Sequence, residues 1–293
     1  MTSPKILEIL RQSSRSGVNP AGENYRYLTL EDTVSLAGRL GLTRRELEIA
    51  ALEAGIVPDR YQRNLGTIGI AGQIKLLRAH AGVVGAGGLG GYAVELLARC
   101  GVGKLTVIDS DTFDSTNLNR QLYALEGGLS LDKAAAAAQR VEKINGAVEA
   151  TAHRCRGDSG NLPRLLKGCA VVLDCLDNLQ ARFSLEAACQ KLKIPLVHGA
   201  IAGFMGQVAV IRPGRPLLAA IYGRQNEQGT GRGVETQFGN PSFTPAVVAA
   251  WQAAEAVKLL AGIGATLEGS LLLIDLFSGE TTRIPLTADI NGQ

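Results

Sequence analysis

The stretch VVGAGGLGG, residues 83–91, places Gly85, Gly87 and Gly90 in a G-x-G-x-x-G turn. Gly85 permits a tight turn from strand to helix, and Gly87 lets backbone N–H groups approach a phosphate. Gly88 and Gly90 keep the loop face free of side chains. Asp109 follows Gly90 by nineteen residues, at the end of KLTVID, where it can accept hydrogen bonds from ribose hydroxyls. Alone, these residues predict a dinucleotide-binding turn. A second cluster exceeds that requirement. DSDTFDSTNLNRQ, residues 109–121, carries Asp111, Asn117, Arg120 and Gln121, and Lys133 opens the helix that follows. An arginine and a lysine aimed at one cleft suit a nucleoside triphosphate, whose charge must be neutralised at transfer. Taken singly, each also reads as a solvated surface charge. The third cluster is LDCLDN, residues 173–178, which puts Asp174 and Asp177 where a buried strand ends. A carboxylate there can hold Mg²⁺ together with phosphates and water. Asp177 or Asn178 equally suits the N-cap of the next helix. Upstream, DRYQRN, residues 59–64, supplies Arg60 and Arg63, and the residues alone leave a surface pair and a functional pair equally open. His198 reads as a core histidine, and Tyr61, Tyr92 and Trp251 read as packing residues.

These clusters sit on a regular alternation of strand and helix. AGVVGAG is a short buried strand and LGGYAVELLARCG its helix, stopped by Gly101. KLTVID, AVEATAHR, AVVLDCLDN and IPLVHGAI are further strands, separated by LDKAAAAAQRVEKIN, NLPRLLKG and LQARFSLEAACQKLK as helices. The alternation predicts an α/β fold with a Rossmann-like, doubly wound, mostly parallel sheet. GQVAVIRPG, SLLLIDL and TTRIPLT predict a C-terminal antiparallel section, and TPAVVAAWQAAEAVKLLAG a long helix capped by Gly262. Residues 222–241 form a long Gly-rich charged loop of the kind that carries binding functions. Residues 1–55 differ: two short helices start at the capping boxes Thr29-x-x-Asp32 and Thr43-x-x-Glu46 and end at Gly41 and Gly55. Acidic and basic residues balance in this segment, which argues for a helical docking module for a partner over a DNA reader. The chain thus divides into a helical module, 1–55, and an α/β domain, 56–293, which carries the glycine loop and the charged clusters.

The 293 residues carry a net charge of only +3, so neither nucleic acid nor an anionic membrane is expected as a partner. No apolar run reaches the roughly 18 residues of a membrane span, and the N-terminus lacks a secretory pattern, so the expected compartment is the cytoplasm. Five cysteines, with no C-x-x-C pair, predict reduced thiols.

In this order, RYQRN, GAGGLGG, VIDSDTFDSTNLNRQ, DKA, LDCLDN, PLVHGAIAGFMGQV and QAAEAVKLL resemble the MoeB/ThiF/HesA family, relatives of the ubiquitin-activating enzymes. The resemblance implies ATP and Mg²⁺ in place of NAD. It implies adenylation of the C-terminal carboxylate of a small ubiquitin-like protein ending in Gly-Gly, usually a sulfur carrier for molybdopterin or thiamine biosynthesis. It implies that the loop amides at Gly88 contact ATP, that Asp109 holds the ribose, and that Asn117, Arg120 and Lys133 bind the phosphates. Asp177 would ligate Mg²⁺, with Asn178 near the nucleotide. Arg63 would cross a homodimer interface to the other subunit's triphosphate, assisted by Arg60. Two departures bear on the chemistry. The stretches RPLLAAIYG and VETQFGNP lack the C-x-x-C pairs with which many relatives bind zinc, so no zinc is expected. No cysteine follows Cys189, so activation is expected to stop at the acyl-adenylate, another protein delivering sulfur or an amine. Three alternatives stay open: the same chemistry on a peptide or modified-tRNA carboxylate, an NAD-dependent dehydrogenase, and a non-catalytic scaffold. The near-neutral charge weighs against tRNA. A dehydrogenase would need a separate substrate domain, and a scaffold has no use for the intact arginine, lysine and aspartate set.

Overall fold

A computed structural model of the chain describes residues 4–19, 21–223 and 238–286. Its main body is an eight-stranded sheet in the order β11-β10-β9-β8-β7-β4-β5-β6. The parallel part comprises β4 (His80–Val84), β5 (Lys104–Asp109), β6 (Glu149–Arg154), β7 (Val171–Asp174) and β8 (Leu196–Ala202). The antiparallel extension is β9 (Met205–Ile211), β10 (Ser270–Asp275) and β11 (Glu280–Pro285). The α/β class, the parallel sheet and the C-terminal antiparallel section are as the sequence predicts. β7 is buried at every position and β4 at every position after His80, as the apolar runs AVVLD and AGVV require of strands covered on both faces.

Crossover helices cover the sheet. α4 (Leu65–Arg78), broken at Gly69, leads into β4. α5 (Gly88–Cys100) and α6 (Lys133–Ile144) follow β4 and β5, and α8 (Leu179–Leu192) follows β7. Short turns of helix, α7 (Leu162–Leu165) and α9 (Leu218–Tyr222), fill the connections. The closing helix α10 (Phe243–Ala261) packs beside α5 and is pinned to the sheet by Gln252. The buried Gln252 amide donates to the carbonyls of Asp174 (2.8 Å) and Val197 (3.1 Å). Among the described residues, no helix is long and apolar enough to cross a membrane.

The N-terminal segment is more than two helices. α2 (Leu30–Leu40) and α3 (Arg44–Glu53) begin at Thr29 and Thr43, each with a reciprocal capping box, and Gly41 closes α2 in a left-handed conformation. Ahead of them stand α1 (Pro4–Ser13) and a hairpin of β1 (Arg15–Val18) and β2 (Asn24–Leu28). β2 pairs in parallel with β3 (Ile56–Pro58), so this small sheet crosses the 55/56 division read from the sequence. Leu10, Leu28, Leu36, Leu47 and Ile56 form a core of their own under it. Of the 222–241 loop, residues 224–237 lie outside the described residues.

Candidate nucleotide site

β4 lies between β5 and β7 in the sheet, and the chain leaves their carboxyl ends in opposite directions. Ligands of open α/β sheets bind at such a switch point, and there a cavity of about 940 Å³ opens. Its floor is the glycine loop. Gly85 sits at φ +93°, and a side chain there would meet the Cys175 carbonyl at 2.4 Å. A side chain at Gly90 would meet the Gly85 carbonyl at 1.8 Å. These two glycines are dictated by the turn itself. Gly87 and Gly88 are different: an added Cβ would find only ordinary contacts, at 3.5 Å from Gln121 and Pro245. Their bareness leaves the loop face open to the cavity. α5 starts at Gly88 with no side-chain cap among the described residues, which leaves its first amides and the positive end of its dipole to bind an anion.

Asp109 ends β5 and is held by the loop: its carboxylate accepts from the amides of Ala86 (2.6 Å) and Asp111 (2.8 Å). Burial pushes its pKa above the usual carboxylate value, and the two amides and the Lys133 charge limit that rise. Lys133 is only 7% exposed and reaches Asp111 at 3.2 Å. A lysine buried at the first position of α6 is not a solvated surface charge; it is aimed into the cavity it lines. Arg120 also lines the cavity, its guanidinium oriented by the Thr116 carbonyl (2.9 Å) and Asn119 Oδ1 (3.0 Å). Gln121 lies over Gly87, and its buried Oε1 has no hydrogen-bond partner among the described residues.

Asp174 and Asp177 separate sharply. Asp174 is fully buried and accepts from Arg182 Nη1 (3.0 Å) and His198 Nδ1 (2.7 Å). Burial alone would raise its pKa, but Arg182 and His198 outweigh that and hold it below the usual range. Burial lowers the His198 pKa, so the ring is neutral. Because Asp174 can only accept, Nδ1 carries the proton and Nε2 faces Tyr222 Oη (3.0 Å) and Gln207 Nε2 (3.2 Å). Asp174 is therefore consumed in a structural network and not available to a cation. Asp177 is exposed on the cavity wall, and among the described residues its carboxylate accepts only from Asn178 Nδ2, at 3.3 Å. Asn178 caps α8 through the Ala181 amide (2.9 Å) and also lines the cavity.

Three sequence expectations, Asn117, Gly90 and Arg60, are placed away from the cavity, while Arg63 is expected at a second subunit's site and not at its own. Asn117 does not line the cavity; it is 5% exposed, and its Oδ1 accepts from the Asp114 amide (3.3 Å), which shapes the loop under Arg120. Gly90 is covered by the Gly85 carbonyl. Arg63 is exposed outside the cavity of its own chain. Arg60 is bound to Asn145 and lies 3.8 Å from Glu48, far from a phosphate role. Conversely, Arg156, Arg182 and Gln207 line the cavity without having been singled out. Arg156 sits just past the end of β6, a carboxyl-end position that the switch-point rule could have flagged.

The site can be tested against a nucleoside triphosphate with Mg²⁺. Free helix amides, two oriented cations and an open glycine face fit the phosphates, and the partly satisfied Asp109 carboxylate fits a ribose. No group of three or more His, Cys, Asp or Glu residues with metal-ligating geometry is present among the described residues. A single carboxylate, Asp177, fits Mg²⁺, which takes most of its ligands from phosphates and water.

The ThiF family profile matches residues 61–291, and the chain belongs to the ThiF family. It is 37% identical over 229 residues to the SAMP-activating enzyme E1 of Haloferax volcanii, covering 78% of this chain and 84% of that protein. It is 36% identical over 234 residues to the sulfur carrier protein adenylyltransferase of Thermus thermophilus, covering 77% and 86%. It spans 50% of the mouse adenylyltransferase and sulfurtransferase MOCS3, at 35% identity and 78% of this chain. In fold, it is similar to the crystal structure of E. coli MccB with AMPCPP and MccA, with a TM-score of 0.66, 18% identity, and coverage of 80% and 73%.

Proposed function

We propose that the protein is an adenylyltransferase that uses ATP to activate the C-terminal Gly-Gly carboxylate of a small ubiquitin-like sulfur carrier. The observation that supports this best is the charge inventory of one cavity: Lys133 and Arg120 beside the uncapped start of α5, with Asp177 left open across from them. A dinucleotide's two phosphates do not need both cations and a spare carboxylate. The relatives named as sulfur-carrier and SAMP-activating adenylyltransferases favour a carrier protein as the acyl donor.

In this reading the loop amides at Gly87 and Gly88, with Lys133 and Arg120, bind the phosphates, and Asp109 holds the ribose. Asp177 holds Mg²⁺, which when bound supplies charge neutralisation to the phosphates. The carrier's carboxylate oxygen forms a bond to the α-phosphorus while the α–β phosphoanhydride bond breaks, giving the acyl-adenylate and pyrophosphate. A carboxylate is ionised at neutral pH, so no general base is required. Rate then comes from positioning and from fixed cations already in place. Arg63 completes the site of a second subunit in a homodimer. The product is a mixed anhydride that passes to a sulfur or amine nucleophile on another protein. The decisive experiment incubates the protein with ATP, Mg²⁺ and Gly-Gly-ending carrier proteins from the same genome. An intact-mass increase of one AMP on a carrier, lost when its final glycine is removed, is the expected result. An adduct retained on a carrier whose C-terminus is amidated would rule out the terminal carboxylate.

A further inference from the structure

The turn that carries Arg63 is held with unusual completeness. Residues Asp59–Asn64 form a single 3₁₀ segment between β3 and α4. Tyr61 is fully buried, and its hydroxyl donates to Glu48 Oε2 (2.9 Å) while accepting from Asn145 Nδ2 (2.9 Å). Asn145 Nδ2 also donates to the Ala98 carbonyl (3.1 Å), and Asn145 Oδ1 accepts from Arg60. Gln62 donates to the Tyr25 hydroxyl (2.8 Å), and Asn64 donates to Gln73 (3.0 Å), itself fixed to the Cys100 carbonyl (2.8 Å). Among the described residues, only Arg63 of this run from 60 to 64 has an exposed side chain with no hydrogen bond or ion pair.

Two of these anchors, Glu48 on α3 and Tyr25 on β2, belong to the N-terminal segment. The others belong to the nucleotide-binding part. The segment is also fastened directly: Arg45 donates to the Gly103 carbonyl (2.7 Å), and Leu52 packs with Tyr61, Leu77 and Ala147. A long flexible arginine loses much of its effect if its backbone wanders, because positioning errors of about 1 Å can cost roughly a hundredfold in rate. A rigid turn presenting one unpaired guanidinium away from its own cavity is suited to reaching another molecule's phosphates.

We propose that the N-terminal segment is the platform that aims Arg63 at the neighbouring subunit's nucleotide site, with Glu48 and Tyr61 as positioning residues for adenylation there. This rests on the reading of Arg63 as a contributor in trans. Tyr61→Phe keeps the buried ring but removes the hydroxyl that joins Glu48 to Asn145, and Glu48→Gln keeps the shape while removing the charge. Full-length variants are assayed for carrier-dependent ATP–pyrophosphate exchange. Each is expected to lower kcat/KM about tenfold, since the cations of the own site stay in place. The informative arm is a mixed dimer, obtained with two different tags, of Tyr61→Phe and Asp177→Ala protomers. The Asp177→Ala protomer has no working site but an intact Arg63 platform, so it should restore near wild-type rate to its partner's site. No gain in the mixed dimer over the sum of the two homodimers would overturn the proposal, because a cis or merely destabilising effect cannot be complemented. Wild-type rates for both Tyr61→Phe and Glu48→Gln, with Arg63→Ala impaired, would remove the platform and leave the trans arginine standing. A wild-type rate for Arg63→Ala would remove both.

Discussion

The two ends of the parallel sheet treat charge in opposite ways. At the carboxyl end, Lys133, Arg120 and Asp177 face a cavity with partners that satisfy them only in part. At the other end, beneath the C-terminus of α5, Glu48, Arg60, Tyr61 and Asn145 close on one another and on backbone carbonyls. Both regions bury ionisable groups, so burial alone does not mark a functional site. What separates them is hydrogen-bonding capacity left over. Asp174 and Asp177 repeat the contrast within three residues: the first is saturated by Arg182 and His198, the second is nearly free.

Replacing Asp177 with alanine gives the largest effect expected. If it holds Mg²⁺ at the phosphates, ATP–pyrophosphate exchange should fall by a factor of about 10³ or more, as losing a transition-state charge contact does. Its exposure predicts a stability change within about 0.5 kcal/mol, measured by urea unfolding. Exchange at the wild-type rate would place the metal elsewhere. Asp174→Asn should act first on stability. The substitution leaves the Arg182 guanidinium buried without its counter-charge, which costs about 3–5 kcal/mol of stability. Arg182 also holds the carbonyls of Leu176 and Gly199, so the loop bearing Asp177 loosens with it. Urea midpoints for the two variants that fail to differ would erase the distinction between a saturated and an open carboxylate.

The sequence made the open end legible and left the closed end largely hidden. Gly85, Asp109, Lys133 and Asp177 stand at fixed offsets from strand ends, and a strand end in a parallel sheet has one location. The strands were equally readable, because AVVLD and KLTVID are apolar runs of strand length between helix-period segments. Local spacing cannot tell which of Asp174 and Asp177 meets Arg182 and His198, because that depends on β8 lying beside β7. The hairpin of β1 and β2 is hidden for a related reason: RSGV is polar and exposed with no apolar alternation, and NYRYL, although Tyr25 and Tyr27 alternate with Asn24 and Arg26, is only five residues long and has no apolar partner strand next to it in the sequence. Arg60 gave no sign of its partner either, since Asn145 is 85 residues away in the chain.

The closed end makes the mildest prediction, and it tests whether Glu48 is as isolated from water as its geometry implies. Burial raises the Glu48 pKa from 4.5 to about 7, against the opposing pull of Arg60 and the Tyr61 hydroxyl. The folded protein therefore holds this proton more tightly than the unfolded chain does. Between the two pKa values the folded state binds more protons, so raising the pH through this window destabilises it. The contribution is complete below about pH 4.5, declines by about 1.4 kcal/mol per pH unit, and is gone above about pH 7. Glu48→Gln cannot ionise, and its stability should lack this slope. The difference in unfolding free energy between wild type and Glu48→Gln, measured at pH 5 and pH 8, should thus move against the wild type as pH rises, by roughly 3 kcal/mol at most. A difference that stays constant between the two would show that Glu48 ionises as it does in water, and the network under Tyr61 would then be as open to solvent as the nucleotide cavity at the other end.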